Sequence, residues 1–125
     1  MNLRTLYFVN GAVALLFALG LLLVTTTMLA MFGIDNTADT RLLAQIIGVE
    51  LVAAGLSTLL TSGISDPKAR SGINFAHIAA NALGLIIALN GTFTGAMNSM
   101  GFVLVLVYAL LGGAFVYFQF FKPSM

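Results

Sequence analysis

The composition of this 125-residue chain is that of a membrane protein and excludes an ordinary soluble domain. Hydrophobic residues make up 60% of the chain, charged residues only 7%, and the mean hydropathy is +1.07, whereas about a quarter of the residues in soluble domains are charged. The formal net charge is +1 and the five cations are scattered, which argues against nucleic acid as a partner. The sequence contains no cysteine, so disulfides, thiolate metal sites and cysteine nucleophiles are excluded from it.

Four apolar segments are each long enough to cross a bilayer, for which a helix needs about 20 residues. These segments are residues 5–24, 41–61, 68–90 and 99–121. They predict an all-α membrane protein, a four-transmembrane-helix bundle that forms one integral membrane domain over residues 1–125. The segment 25–34, which follows the first span, is either a frayed continuation of that helix or a short interfacial helix, and we favour the interfacial helix.

The connecting turns carry signals for helix starts and stops. Asp66 followed by Pro67 predicts the start of the third span, because the acid can cap free amides and proline is tolerated at the first helical position. The other predicted end signals are Asp39 or Thr40 before the second span, Asn98 or Ser99 before the fourth, and Lys122 with Pro123 after it.

The distribution of basic residues predicts an orientation. In a four-span topology one side carries four of the five cations, and Arg41 lies alone on the other side beside Asp35 and Asp39. By the positive-inside rule both termini should be cytoplasmic, and we expect the protein in a bacterial inner membrane. The four cations on the predicted cytoplasmic side are Arg4, Lys68, Arg70 and Lys122.

Glu50 lies at the middle of the second span and is the strongest candidate for a functional residue. A carboxylate at that depth costs about 2.5 to 3.5 kcal/mol on insertion scales, so we expect it to face other protein groups. Its own helix offers a surrounding face of mostly small or apolar residues, namely Ile46, Ile47, Ala53, Ala54 and Ser57.

The third span has the clearest pattern for a partner surface. Polar and small residues recur there at steps of three and four, which places them on one helix face that should point inward; they are Asn74, His77, Asn81, Gly84 and Ala88. The fourth span repeats this spacing in Gly101, Val105, Tyr108, Gly112, Phe115 and Gln119. At about 1.5 Å per residue, the depths predict an interior network of Glu50 with His77, Asn81 and Tyr108, with Asn10 and Asn74 below it on the cytoplasmic side.

Each of these residues also has a purely structural interpretation. Buried asparagines and tyrosines in membrane bundles often only hold helices together, and we favour that role for Asn74, Asn81 and Tyr108. For Glu50 the functional and the structural interpretation remain equally open. A lone histidine such as His77 is more often a hydrogen-bonded interior residue than a haem or pigment ligand, so we expect no cofactor and no metal.

The residues Met31–Asp35, which read MFGID, and Arg41–Gly55, which read RLLAQIIGVELVAAG, resemble small bacterial membrane proteins of the DoxX-like group and similar uncharacterised four-span families. The resemblance covers most of the chain but is generic. It implies a compact four-helix bundle and, for some members, association with respiratory or redox complexes. It implies no active-site residue here, and Thr25, Thr26 and Thr27 depart from the proline that the resemblance leads us to expect near that point.

Three functional hypotheses follow, and none of them is enzymatic, because the sequence has no recognisable hydrolase, nucleotide-binding or metalloprotease motif. The first is a non-catalytic bundle that acts as a homo-oligomer or as an accessory subunit of a membrane complex. The second is a binder or carrier of a small or lipophilic molecule around Glu50 and His77. The third is a cofactor-binding subunit of a redox complex.

Overall fold

The computed structural model describes residues 1–122, and within them the chain forms five α-helices and a closing π-helical turn. The helices are α1 (Leu3–Leu23), α2 (Thr25–Met31), α3 (Ala38–Leu60), α4 (Pro67–Phe93) and α5 (Gly101–Val116), and the π-helical turn is Tyr117–Phe121. Four helical stretches are long and apolar enough to span a membrane: α1, α3, α4, and α5 continued to Phe121. The predicted four-helix membrane bundle is therefore confirmed.

The predicted helix ends are confirmed in part. Asp66 caps α4 by accepting a hydrogen bond from the amide of Ala69 at 2.7 Å, and Pro67 is the first helical residue. The cap of α3 is Thr37 rather than Asp39 or Thr40, and Thr40 completes a reciprocal capping box with it. The prediction that Pro123 stops the last helix lies outside the described residues.

The first hairpin pairs α1 with α3 through small residues. A Cβ atom placed on Gly11 would lie 2.9 Å from the carbonyl oxygen of Gly55, and one placed on Gly55 would lie 3.0 Å from the carbonyl oxygen of Gly11. Ala44 and Gly48 are buried on the same face of α3, and Gly48 packs on Leu22. The two backbones therefore approach closely, as small residues allow in membrane helices.

The second hairpin pairs α4 with α5 in the same manner. The ring of Tyr108 covers Gly84, where an added Cβ atom would lie 2.5 Å from the ring, and Asn81 packs against Gly112. The predicted inward face of α4 is confirmed, since Asn74, Asn81 and Ala88 are buried.

The two hairpins join at the end of the bundle that holds the start of α1, the α3–α4 turn and the end of the last helix. We call it the basic end, because Arg4, Lys68, Arg70 and Lys122 belong to it. A cluster of buried apolar side chains also lies in this half of the bundle and comes from α1, α5 and the π-helical turn; it comprises Leu3, Leu6, Tyr7, Phe115 and Phe118.

A second connection lies at the opposite end. Asn98, in the turn between α4 and α5, donates from its side chain to the carbonyl of Met31 at 3.0 Å and from its amide to the carbonyl of Phe32 at 2.9 Å. Gly33 has φ of 68°, a left-handed conformation that favours glycine, and lies against the Asn98 side chain. The short helix α2, which the sequence predicts after the first span, is thus tied to the second hairpin.

Candidate functional site

A chain of polar side chains crosses the interior of the basic half of the bundle. The hydroxyl of Tyr7 donates to Asn74 Oδ1 at 2.8 Å, and Asn74 Nδ2 donates to Gln119 Oε1 at 3.1 Å. Gln119 Nε2 then donates to the hydroxyl of Ser71 at 3.0 Å. This chain joins α1, α4 and the π-helical turn, and the carbonyl of Arg70 lies 3.3 Å from the same Tyr7 hydroxyl.

His77 lies one helical turn further along α4 and contacts the other hairpin. Its Nε2 atom is 3.2 Å from the hydroxyl of Thr58 on α3, and its ring stacks on Phe115 with centroids 4.6 Å apart. The Thr58 hydroxyl already donates to the carbonyl of Ala54 at 2.7 Å. Thr58 must then accept from His77, so the hydrogen-bond pattern assigns the ring proton to Nε2.

This arrangement bears on the alternative that His77 holds a haem or pigment. Nε2 donates its proton in a hydrogen bond to Thr58, and the ring packs against Phe115, so both contacts of His77 are with other protein groups. The observed surroundings of His77 therefore fit a hydrogen-bonded interior histidine better than an axial ligand. Among residues 1–122, no group of three or more His, Asp and Glu side chains could hold a metal ion.

Three further predicted site residues are at least half-buried, and no hydrogen bond joins them to one another among the described residues. Asn81 is buried and donates to the carbonyl of His77 in its own helix at 2.7 Å. Tyr108 is half-buried, with its ring on Gly84. Asn10 is buried on α1, next to the crossing with α3. Asn81 and Tyr108 therefore lie in the contact between α4 and α5, and Asn10 lies beside the contact between α1 and α3.

Glu50 does not join the interior network that the sequence predicts. It is exposed on the outer face of α3, and the hydrogen bonds that connect Tyr7, Asn74, Gln119 and His77 do not include it. The prediction that Glu50 contacts His77, Asn81 and Tyr108 is therefore wrong within a single chain. The physical reason is that α3 packs on α1 through Ala44, Gly48 and Gly55, which lie on the other side of the helix.

The outer face around Glu50 is a surface of this chain rather than part of its core. Its members are exposed and lie at helical spacing with Glu50 near the centre; they are Ile46, Ile47, Glu50, Ala53, Ala54 and Ser57. We call this set the Glu50 face. It presents one carboxyl group and two alanines among larger apolar side chains near the middle of a predicted span.

Two important interior residues are not in the predicted network. Tyr7 is 1% exposed and is the hydrogen-bond donor that starts the polar chain. Thr58, 2% exposed, is the partner of His77. For Thr58 a signal was present, since it follows Gly55 by three residues and so lies on the same face of α3 as Gly55 and Gly48.

The fold and the polar interior define the class as a four-helix membrane protein whose hairpins are joined by hydrogen-bonded side chains. No protein-family model, curated protein or solved structure matches this chain. The resemblance to DoxX-like proteins therefore stays a prediction.

Proposed function

We propose that this chain is a non-catalytic integral membrane protein that functions by lateral association, with a second copy of itself as the first partner. The observation that carries the proposal is the exposed position of Glu50 near the middle of α3. A carboxyl group facing hydrocarbon at that depth costs several kcal/mol, and a protein partner that hydrogen bonds to it removes much of this cost. The Glu50 face is therefore the proposed association surface.

A second copy fits this surface because a carboxylic acid can donate and accept hydrogen bonds at the same time. Two Glu50 side chains related by a two-fold axis can thus satisfy each other, as a self-complementary interface requires. Ala53 and Ala54 on the same face would let the two α3 helices approach closely. The five cations of the chain lie near helix ends or in turns, so a cationic partner for Glu50 at its depth would have to come from a different protein.

The proposal includes a location and an orientation. Four of the five cations belong to the basic end, which supports a cytoplasmic position for that end and for both termini in a bacterial inner membrane. The DoxX-like resemblance supports the same general role, a small subunit within a larger membrane assembly.

Substitution of Glu50 tests the proposal directly. We expect Glu50→Leu to fold and insert at least as well as the wild type, because the substitution removes a carboxyl group that faces lipid. Its self-association should be about three- to thirtyfold weaker, which is the range for the loss of one interhelical hydrogen bond. Glu50→Gln should keep most of the association, since an amide also donates and accepts. The measurement is the monomer–dimer equilibrium in detergent micelles, by analytical ultracentrifugation or by energy transfer between labelled chains.

Cysteine cross-linking locates the interface in the same experiment. The sequence has no cysteine, so Ala53→Cys introduces a single thiol on the Glu50 face. We expect it to form an intermolecular disulfide under mild oxidation, whereas Ala80→Cys, an exposed alanine near the middle of α4, should not. Equal cross-linking at both positions, or undiminished association of Glu50→Leu, would contradict the proposal. A stable complex with a different protein in place of the dimer would show that the partner is not a second copy.

A further inference from the structure

The basic end contains a cavity that neither the polar interior nor the Glu50 face explains. Its volume is about 220 Å³, and it lies between the start of α1, the α3–α4 turn and the first turns of α4. Typical pockets for drug-sized ligands measure about 300–1,000 Å³. The cavity therefore suits a small chemical group rather than a large organic molecule.

The polar groups that line the cavity are donors for an anion. Arg4 and Arg70 both line it, together with the hydroxyl residues Ser62 and Ser65, and the lining residues include no carboxylate. Asp66 follows Ser65 in the chain, but its carboxylate accepts the amide of Ala69 as the cap of α4. Two arginines and two serines thus line one cavity, and no acidic residue lines it with them.

Arg70, which lines the cavity, also carries a side-chain donor that has no partner. Its Nε atom is buried, and no hydrogen-bond partner for it is present among residues 1–122. A buried charged donor without a partner is costly, and such donors normally have one. The backbone of Arg70 is held in position, since its carbonyl lies 3.3 Å from the Tyr7 hydroxyl and its amide donates to the carbonyl of Asp66 at 3.0 Å.

A second, larger cavity of about 500 Å³ shares Arg4 and Ser62 with the first. Its other lining residues are Asn2, Thr5, Phe8 and Leu59; Phe8 is 62% exposed, whereas Leu59 is half-buried beside Gly11. A molecule whose anionic group is held by the two arginines would therefore place an attached apolar chain against Phe8 and Leu59. The two adjoining cavities together match an amphiphile that has a charged headgroup and an apolar chain.

We propose that Arg4 and Arg70, with Ser62 and Ser65, form a binding site for a phosphate group at the basic end of the bundle. Guanidinium groups recognise phosphate oxygens through paired hydrogen bonds, and the serine hydroxyls can supply further donors. The apolar side chains of Phe8 and Leu59 in the adjoining cavity favour a phospholipid headgroup as the source of the phosphate, with an acyl chain lying along them. This site is independent of the proposed self-association through the Glu50 face.

The test compares lipid and free phosphate on the purified full chain. In phosphatidylcholine nanodiscs, we expect added phosphatidylglycerol to raise the melting temperature and to be retained in native mass spectra, with little effect from inorganic phosphate. Arg4→Gln should bind phosphatidylglycerol about tenfold more weakly, and Arg4→Gln with Arg70→Gln weaker still. Arg4 is exposed, so its substitution leaves the fold intact and keeps the test decisive if Arg70→Gln does not fold.

Two charge-matched controls separate the site from general attraction to anionic lipid. Lys122→Gln removes a charge at the same end outside the two cavities, and Arg41→Gln removes one at the opposite end. We expect both to bind phosphatidylglycerol like the wild type. Stabilisation by inorganic phosphate that equals the lipid effect would support the phosphate site with a free anion as its ligand. Equal losses in all single variants, or no response of the wild type to either compound, would overturn the proposal.

Discussion

The hydroxyl group of Tyr7 connects two helices that are distant in the sequence. It lies in a nearly closed environment, 1% exposed, and donates to Asn74, which in turn donates to Gln119. In hydrocarbon there is no water to replace a lost partner, although measured interhelical hydrogen bonds in membranes average only about 0.6 kcal/mol and reach about 2 kcal/mol. The polar chain therefore selects which helix faces meet more than it provides bulk stability.

Tyr7→Phe tests this contribution at the scale of one residue. Removal of the hydroxyl leaves Asn74 Oδ1 without its donor, so we expect a loss of about 1–2 kcal/mol in the free energy of unfolding. The measurement is reversible unfolding in mixed micelles with increasing denaturing detergent. Tyr117→Phe is the matched control, because Tyr117 is 44% exposed, and we expect it to be near neutral. Equal effects of the two substitutions would show that the Tyr7 hydrogen bond is not important for stability.

At the scale of the element, the close approach of α1 and α3 in the first hairpin depends on glycines at their contact. Gly11 on α1 and Gly55 on α3 face each other, and an added Cβ atom on either would meet the other's carbonyl oxygen at about 3 Å. A backbone oxygen cannot rotate away like a flexible side chain. The helices would have to separate, and the contacts around them would weaken.

Gly11→Ala should accordingly destabilise the protein by about 1–3 kcal/mol, the usual range for overpacking a close contact. Gly113→Ala on α5 is the control, since no atom lies within 4 Å of the position of its Cβ. Alanine is a better helix former than glycine, so the control should be neutral or up to about 1 kcal/mol more stable. Both values come from the same detergent unfolding assay. A Gly11→Ala protein as stable as Gly113→Ala would mean that the two helices are not in close contact.

At the scale of the whole molecule, two helical hairpins are fastened to each other near both ends. The basic end uses the buried cluster around Tyr7 and Phe115 and the polar chain beside it. The opposite end uses Asn98 and the carbonyls of Met31 and Phe32. The even number of spans puts the start of α1 and the end of the last helix on the same side of the membrane.

The orientation of the whole molecule is tested by labelling single cysteines, for which the cysteine-free chain is well suited. Ser65→Cys lies in the α3–α4 turn at the basic end and Ala96→Cys in the α4–α5 turn, and both positions are exposed. In intact bacterial cells with a permeabilised outer membrane, a membrane-impermeant maleimide should label Ala96→Cys and spare Ser65→Cys. The reverse pattern would place the basic end outside the cytoplasm.

Several features of the fold could be predicted from the sequence because they depend on local chemistry. The four spans follow from apolar length, and the start of α4 follows from Asp66 and Pro67. The inward face of α4 could also be predicted, because Asn74 and Asn81 are polar residues in a span and hydrocarbon excludes them from the lipid surface.

The tertiary structure alone decided the inward face of α3 and therefore the position of Glu50. In water an apolar face is driven inward, but lipid tails are as apolar as leucine, so the hydrophobic residues of α3 carry little information about direction. Close packing makes the choice instead: Ala44, Gly48 and Gly55 meet α1, and Glu50 is left on the outside. The sequence by itself determined the four spans and the polar interior face of α4. The packing of the helices against each other determined that Glu50, Arg4 and Arg70 remain available to partners.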